Sequence, residues 1–491
     1  MKSIVAITVA SCLAVTTAAA QTSQQSMPGM DMSQHDMTNM QNPPNHTDQQ
    51  IQEPANPMTP TGAAWPMPEL LQEVNGRPPK KLSEFIQLGD TNNPTLKQAA
   101  AIVRRSEAQA KQAGLYPNPS IGYQGEQIRG GSFGGGEHGA YIAQSIVLGG
   151  KLGLRRNIYE QQKKSDEASA EAQIERVHGD IAQAFYKTLA AQETVVVRRR
   201  LLKLTLDAVE TVHQLTNVGQ ADAPDILQSE VEAEQAKIEY TTAQRNFLQN
   251  FRVLAAAAGK SDLPASPLDG VLDAIPDIDT EHIVATIIQD SPTVKQALLD
   301  ITVAEATLKD AKRESIPDLQ LKAGEQYNFE TVSVLPTKAA GPQSFASAGV
   351  NLPIWNRNQG AKQAADADID RAQQELQRVK LSLRQQAEPL VQMYLSSKFE
   401  ADRYRTQLIP RAGQAYQLYL QKYQSMATAY PQVLVSQRTL FQLQVSYIQA
   451  LSIAWQNAIA LQHLTLKGGL EAPTATGTAT TINLPGGGGR E

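Results

Sequence analysis

Six soft or borderline metal donors crowd one short stretch: Met27, Met30, Met32, His35, Met37 and Met40. Five of the ten methionines in the 491-residue chain fall there. Thioether sulfur selects Cu(I), and by the same reasoning Ag(I), while imidazole adds affinity for copper. The stretch has no apolar periodicity, and its composition alone fixes no coordination geometry. Transient capture or delivery of a soft cation is therefore the chemistry expected of it. The competing reading is a biased tail whose methionines are incidental.

A second candidate group is acidic. Asp222 and Asp225 flank Pro224, where an Asp beside an early-turn proline suits helix capping. If several copies meet there, the same carboxylates form a ring that attracts cations and repels itself, a device able to gate a passage. The corresponding turn further on, Ala429-Tyr430-Pro431-Gln432, carries no charge. Tyr430 and Gln432 are accordingly candidates for contact with a partner. Arg198 interrupts a stripe of small and apolar residues, and the expectation is that its stem packs while its head reaches water.

Catalytic constellations are missing. The seven histidines show no His-x-x-x-His or His-Glu-x-x-His spacing. The glycines at 130–136 and 149–150 lack the lysine spacing of a phosphate-binding loop. Cys12 is the single cysteine, and no cofactor is implied. With a net charge of −5 and a pI near 5.9, the chain gives no reason to expect nucleic acid.

The elements that position these groups begin with export. Lys2, the apolar run 4–15 and Ala18-x-Ala20 form a secretory signal over residues 1–20. Val9-Ala10-Ser11-Cys12 loosely matches a lipoprotein cleavage box, although the apolar run before it is short, so acylation of Cys12 is not expected. Residues 21–78, rich in Met, His, Gln and Pro, predict a flexible extension, and 468–491, with four consecutive glycines, a flexible tail. No later stretch supplies the ~18 apolar residues of a membrane-spanning helix, so any crossing must use β-strands.

Between the tails the chain repeats itself. Asn93-Pro94-Thr95-Leu96-Lys97-Gln98-Ala99 matches Ser291-Pro292-Thr293-Val294-Lys295-Gln296-Ala297 at an offset of 198, and Pro224, Leu227 and Ser229 match Pro431, Leu434 and Ser436 at 207. The units are placed at 79–275 and 276–467. Each reads as a helix ended by proline, a β-hairpin (about 119–148 and about 317–354) and a long helical hairpin (about 150–258 and about 357–466). Alternation from Leu319 to Phe329 is the dyad pattern of a membrane strand, with Glu325 as the exception on its apolar face. In the long helices a three-four seam runs Ile174, Val177, Ile181, Ala184, Thr188, Ala191, Val195, Arg198, Leu202, Thr205, Val209, Val212, and again Ile369, Ala372, Leu376, Val379, Leu383, Gln386, Leu390, Met393. Such a repeat coils helices on their neighbours, and Pro389 is expected to kink the second. Four strands cannot close a barrel, so several copies must share one.

This order of elements resembles the TolC-type outer-membrane efflux factors over residues 80–467. Asn356-Arg357-Asn358-Gln359-Gly360, after Pro353 and Trp355, is similar to the strand-to-helix junction of their heavy-metal branch, for copper and silver or cobalt, zinc and cadmium. The resemblance implies a mainly α fold with a small β portion: a homotrimer whose twelve strands share one outer-membrane barrel above a periplasmic α-barrel. It further implies a non-enzymatic duct that works with a periplasmic adaptor and an inner-membrane pump of the RND type, carrying metal ions, copper or silver favoured. Organic toxicants or siderophores are the alternative cargo. A periplasmic coiled-coil adaptor is the alternative class, and the duplicated strand pairs argue against it.

Overall fold

The structure, a computed structural model, describes residues 74, 76–128, 135–219, 221–332, 338–425 and 427–473. The chain divides into units 1–66 and 67–491, and every described residue belongs to the second. Signal, Cys12 and the Met/His segment lie outside the described residues.

The first repeat runs β1 (Lys80–Lys81), α1 (Leu82–Asn92), α2 (Pro94–Ala113), β2 (Ser120–Glu126), β3 (Glu137–Ile146), α3 (Lys151–Asn217) and α4 (Ala223–Ala257). After β4 (Leu268–Asp269), the second runs α5 (Ile283–Asp290), α6 (Pro292–Arg313), β5 (Leu319–Val332), β6 (Lys338–Val350) and α7 (Gln359–Arg403). A π-helical turn, Tyr404–Leu408, then leads to α8 (Ile409–Gln424) and α9 (Tyr430–Gln462). Each α2-type helix starts on proline, whose missing N–H is one of the donors a helix start leaves unpaired anyway. At α2 the Asn93 side chain accepts from Thr95 N at 2.9 Å. At 67 residues and 1.5 Å per residue, α3 is about 100 Å long.

The short helices α1 and α5 were not foreseen. Phe85 of α1 is fully buried and meets Phe185 and Phe251 edge-on at 6.0 and 6.1 Å. Gly89 permits that approach, since a Cβ there would lie 2.5 Å from Ile181 Cδ1. The linker between repeats is pinned too: Trp455 donates to Leu272 O at 2.7 Å and Tyr394 OH to Pro276 O at 2.6 Å. β1 and β4 pair in parallel across the same region.

The seam of α3 is buried at Val177, Ile181, Thr188, Val195, Thr205 and Val212, whereas Ile174 is exposed and Ala172 and Gln173 turn inward. In α7 the buried positions are Ala365, Ala372, Leu376 and Leu383, then Ala387, Val391, Tyr394, Ser397 and Ala401. Gln386 and Met393, assigned to the seam by spacing, face outward. The steps 383, 387 and 391 insert a stutter of four, which locally unwinds the coil and carries the stripe one residue onward. The helix continues through Pro389. Its ladder changes at 404–408, where Ile409 N bonds to Tyr404 O, five residues back. Pro410 follows and cannot donate; a wider turn ahead of it relieves the clash of its ring with the preceding turn.

Between α2, α3 and α6 lie two carboxylates. Asp166, 1% exposed, accepts from Ser106 and from Gln162. Asp300 accepts from Ser165 at 2.5 Å. Burial pushes both pKa values up; Asp166 adds to the rise at Asp300, against Ser165 and Arg371. A folded pKa above the unfolded one means stability is fully present below the unfolded pKa and is lost as pH rises through the folded one. Asp300→Asn keeps an acceptor for Ser165. It is expected to melt higher than the parent at neutral pH, the two curves converging as pH falls through the carboxylate range. Parallel melting curves at every pH would contradict the assignment.

Candidate functional site

The four long strands form one antiparallel sheet in the order β2-β3-β5-β6. Alternation sorts its faces. Ile121, Tyr123, Ile142, Leu321, Tyr327 and Phe329 lie on one face and are exposed. The other carries Gln124, Glu137, Lys322, Gln326 and Asn328. The polar side chains bond to one another: Lys322 Nζ donates to Gln124 Oε1 at 2.5 Å and sits 4.0 Å over the Tyr141 ring. Glu137 accepts from Gln326 and Asn328 at 2.5 and 2.8 Å. At the far end of the apolar face, Tyr123 bonds to His138, whose ring meets Phe329 edge-on at 5.8 Å. Tyr327 lies 4.6 Å from Phe329. Glu325, the apolar-face exception, accepts from Ser344. Among the described residues, the outer edges of β2 and β6 have no strand partner.

The sheet joins the helices at two unlike junctions. In the first repeat Gly149 and Gly150 take positive φ of 73° and 70°. Lys151, 2% exposed, reaches back to Asp318 at 2.7 Å and to Ile316 O at 2.9 Å. In the second repeat Asn358, at φ 59°, stands before α7 and donates through Nδ2 to Ala311 O at 3.0 Å. Arg357 N donates to Gln359 Oε1 at 2.8 Å and Asn358 N to Asn356 Oδ1 at 3.1 Å. Gly360 takes no part, facing open space.

At the opposite end of the long helices are the two turns. Asp222 caps α4, and the Asp225 carboxylate accepts from Asp222 N at 3.4 Å in a capping box. Tyr430, proposed from sequence as a partner contact, is instead 8% exposed and packs with Val212 and Leu434. The turn is uncharged because it closes one hairpin against the other, and apolar burial drives that contact. Burial pushes the Tyr430 hydroxyl up to about 12, Tyr423 and Asp225 adding to the shift. Gln432 is exposed beside an apolar groove of about 390 Å³ between α8 and α9, lined by Tyr419, Pro431 and Val435. Arg198 pairs with Glu239 on α4 rather than reaching water, since both side chains are largely covered (16% and 31% exposed). Arg438 of α9 pairs with Glu232 of α4 at 3.3 Å, joining the hairpins. Sequence reasoning missed both partners, because neither lies on the element of its arginine.

Among the described residues no group of three or more His, Cys, Asp or Glu could hold a metal ion. None of the described helices is long and apolar enough to cross a membrane.

Residues 86–260 match the family model described as outer membrane efflux protein. The chain is 23% identical over 386 residues to the cobalt-zinc-cadmium resistance protein CzcC of Cupriavidus metallidurans, covering 79% of this chain and 90% of that one. It is 25% identical over 292 residues to the probable efflux pump outer membrane protein TtgC of Pseudomonas putida, covering 56% and 60%. Among solved structures it resembles CusC (TM-score 0.65, 16% identity, 79% and 92% covered) and the outer membrane protein VceC of Vibrio cholerae (0.64, 17%, 79% and 97%). The match to the outer membrane efflux protein family thus spans α1 to α4, and over most of its length the chain has the fold of CusC and VceC.

Proposed function

We propose that three copies of this chain close one twelve-stranded barrel in the outer membrane and carry metal cations outward through a helical duct. The trimer rests on one observation: a sheet of four strands with an apolar outer face and, among the described residues, two unpaired edges. Open edges are not tolerated in lipid, and copies joined edge to edge remove them. The duct would meet a periplasmic adaptor and an RND-type inner-membrane pump at its helical tip. Asp222 and Asp225 would stand there as a ring, with Gln432 and the neighbouring groove as the adaptor contact. Tip opening would separate the hairpins now held by Arg438–Glu232 and the Tyr430 cluster.

The metal reading is supported by CzcC and by a nickel-cobalt-cadmium resistance protein, 22% identical over 292 residues. Copper or silver is the finer reading, supported by Met27, Met30, Met32, His35, Met37 and Met40. The similarity to TtgC keeps organic export as a second reading. A deletion strain tested against Cu, Ag, Zn, Co and an organic toxicant separates them when complemented with the full chain or one lacking residues 21–60. Loss of Cu and Ag tolerance rescued only by the full chain is the expected result. Rescue of Zn or Co tolerance by either chain would move the cargo to that group. Sensitivity to the organic compound alone would end the metal reading.

A further inference from the structure

The loop between β6 and α7 presents an aromatic side chain to the surface and is built to keep it there. Trp355 is 86% exposed, with Leu352 at 66% and Ile354 at 56%. Leaving a tryptophan in water forgoes a large burial term, yet the residues around it are tightly bonded. Gln359 Nε2 donates to Trp355 O at 3.2 Å and Arg357 Nε to Ile354 O at 3.2 Å. Lys362 Nζ and Ser315 Oγ both donate to Arg357 O at 2.9 Å, and Lys362 Nζ also donates to Ser315 Oγ at 2.7 Å. Ile354 N closes a tight turn on Leu352 O at 2.9 Å. Asn358 fastens this turn to the end of α6 through Ala311 O. Backbone and polar groups are satisfied inward, and the apolar groups are left outside.

The position along the sheet says what they meet. Leu319 pairs with Val350, and both lie on the face that carries Leu321, Ala323, Tyr327 and Phe329. Leu352 continues that parity. From Leu319 to Phe329 is ten residue-to-residue steps, or about 34 Å of strand; a membrane strand's tilt of about 35–45° reduces this to about 26 Å, the height of the apolar band of an outer-membrane barrel. Tyr123, Tyr327 and Phe329 mark its outer limit. Trp355 lies just beyond the other limit, where tryptophan is favoured for its apolar body and single N–H donor. Tyr116, 65% exposed, occupies the same end at the opposite edge of the sheet, before β2. The first-repeat junction has no such residue, since Gly149 and Gly150 stand there and Lys151 turns inward to Asp318.

We infer that the turn 352–359 is a membrane-interface anchor, with Trp355, Ile354 and Leu352 seated at the headgroup–acyl boundary of the periplasmic leaflet. The Asn356-Arg357-Asn358-Gln359 run serves as its pedestal, and Arg357 is exposed beside it for contact with phosphate. The occupant is lipid because the surface continues the lipid-facing side of the strands. The inference rests on that side facing a bilayer, and the experiment separates the two.

The full-length protein is reconstituted in phospholipid vesicles with bromines either near the headgroup or near the chain end. The tryptophan emission of Trp355→Phe is subtracted from that of the parent. Ile121→Trp, on the apolar face of β2 near mid-band, reports the bilayer independently. The expected result is that Trp355 emission is lost mainly to headgroup-side bromines, and the added signal at 121 mainly to chain-end bromines. A Trp355 signal lost to aqueous iodide and not to brominated lipid, with position 121 responding, overturns the anchor and leaves the membrane span standing. A Trp355 signal insensitive to both quenchers means that a neighbouring copy covers it, and also overturns the anchor. If position 121 ignores brominated lipid as well, the lipid-facing reading of the sheet fails and the anchor falls with it.

Discussion

Valine in place of Gly139 is expected to prevent assembly of the four-stranded sheet, with loss from outer-membrane fractions of the oligomer proposed above. Gly139 is in β3 and pairs with Gln326 of β5, the strand contact that joins the two repeats. A Cβ at 139 would stand 2.4 Å from Glu325 O and 2.6 Å from Gln326 Cβ. The carbonyl is backbone within the ladder, so it cannot move without lengthening hydrogen bonds on both sides. Overpacking of this kind costs about 1–3 kcal/mol where side chains can shift and more where they cannot. In the proposed trimer the cost would recur in every copy. Gly349→Val is the matched control. It places the same side chain in the same sheet with nothing within 4 Å, and valine favours strands. Equal yields of heat-resistant oligomer from the two variants would show that close packing at β3–β5 does not govern assembly.

Gly139 also shows what a sequence of this kind conceals. It follows closely on the glycines at 130–136, and composition does not separate a loop glycine from one forced by a neighbouring backbone. The duplicated Asn/Ser-Pro-Thr starts were legible because a proline at the first helical position is a local signal, its missing N–H being one that a helix start leaves unpaired anyway. The coiled seam was legible because 3.5-residue periodicity survives over many turns. It failed at Gln386 and Met393, where a stutter shifts the stripe by one residue without any composition signal. Tyr430 misled for another reason. Its turn is polar-poor and short, which reads as a docking loop, whereas its burial depends on Val212, more than 200 residues away in sequence. Likewise Arg198 and Glu239 sit on separate helices, and only the fold brings them together. The Asp222–Asp225 capping box, by contrast, could be read from spacing alone.

The C-terminal end gives the last test. Composition assigned residues from 468 onward to a tail, yet 468–473 cross back to the first repeat. Gly469 O accepts from Thr95 Oγ1 at 2.7 Å and from Gln173 Nε2 at 3.0 Å, while Gly469 N donates to Asp180 at 2.7 Å. Gln173 is fully buried and Thr95 is 4% exposed. Gly469 fits because its Cα passes close to Val177, where a Cβ would lie 2.8 Å from Val177 Cα. Glycine and threonine are thus present for close approach and hydrogen bonding, the same composition that elsewhere signals a linker. A chain ending at Lys467 loses these hydrogen bonds, each worth about 0.5–1.5 kcal/mol, while Thr95 Oγ1 keeps Asn93 Oδ1 and Gln173 Nε2 keeps Thr95 Oγ1. The summed loss is expected to reach about 3 kcal/mol, enough to lower the melting temperature by several degrees and to expose the α2–α3 contact to protease. A chain ending at Pro473 retains the clamp and is expected to melt with the parent. If both truncations melt alike, water replaces the Gly469 contacts at no cost, and the strap adds nothing to the joining of the repeats.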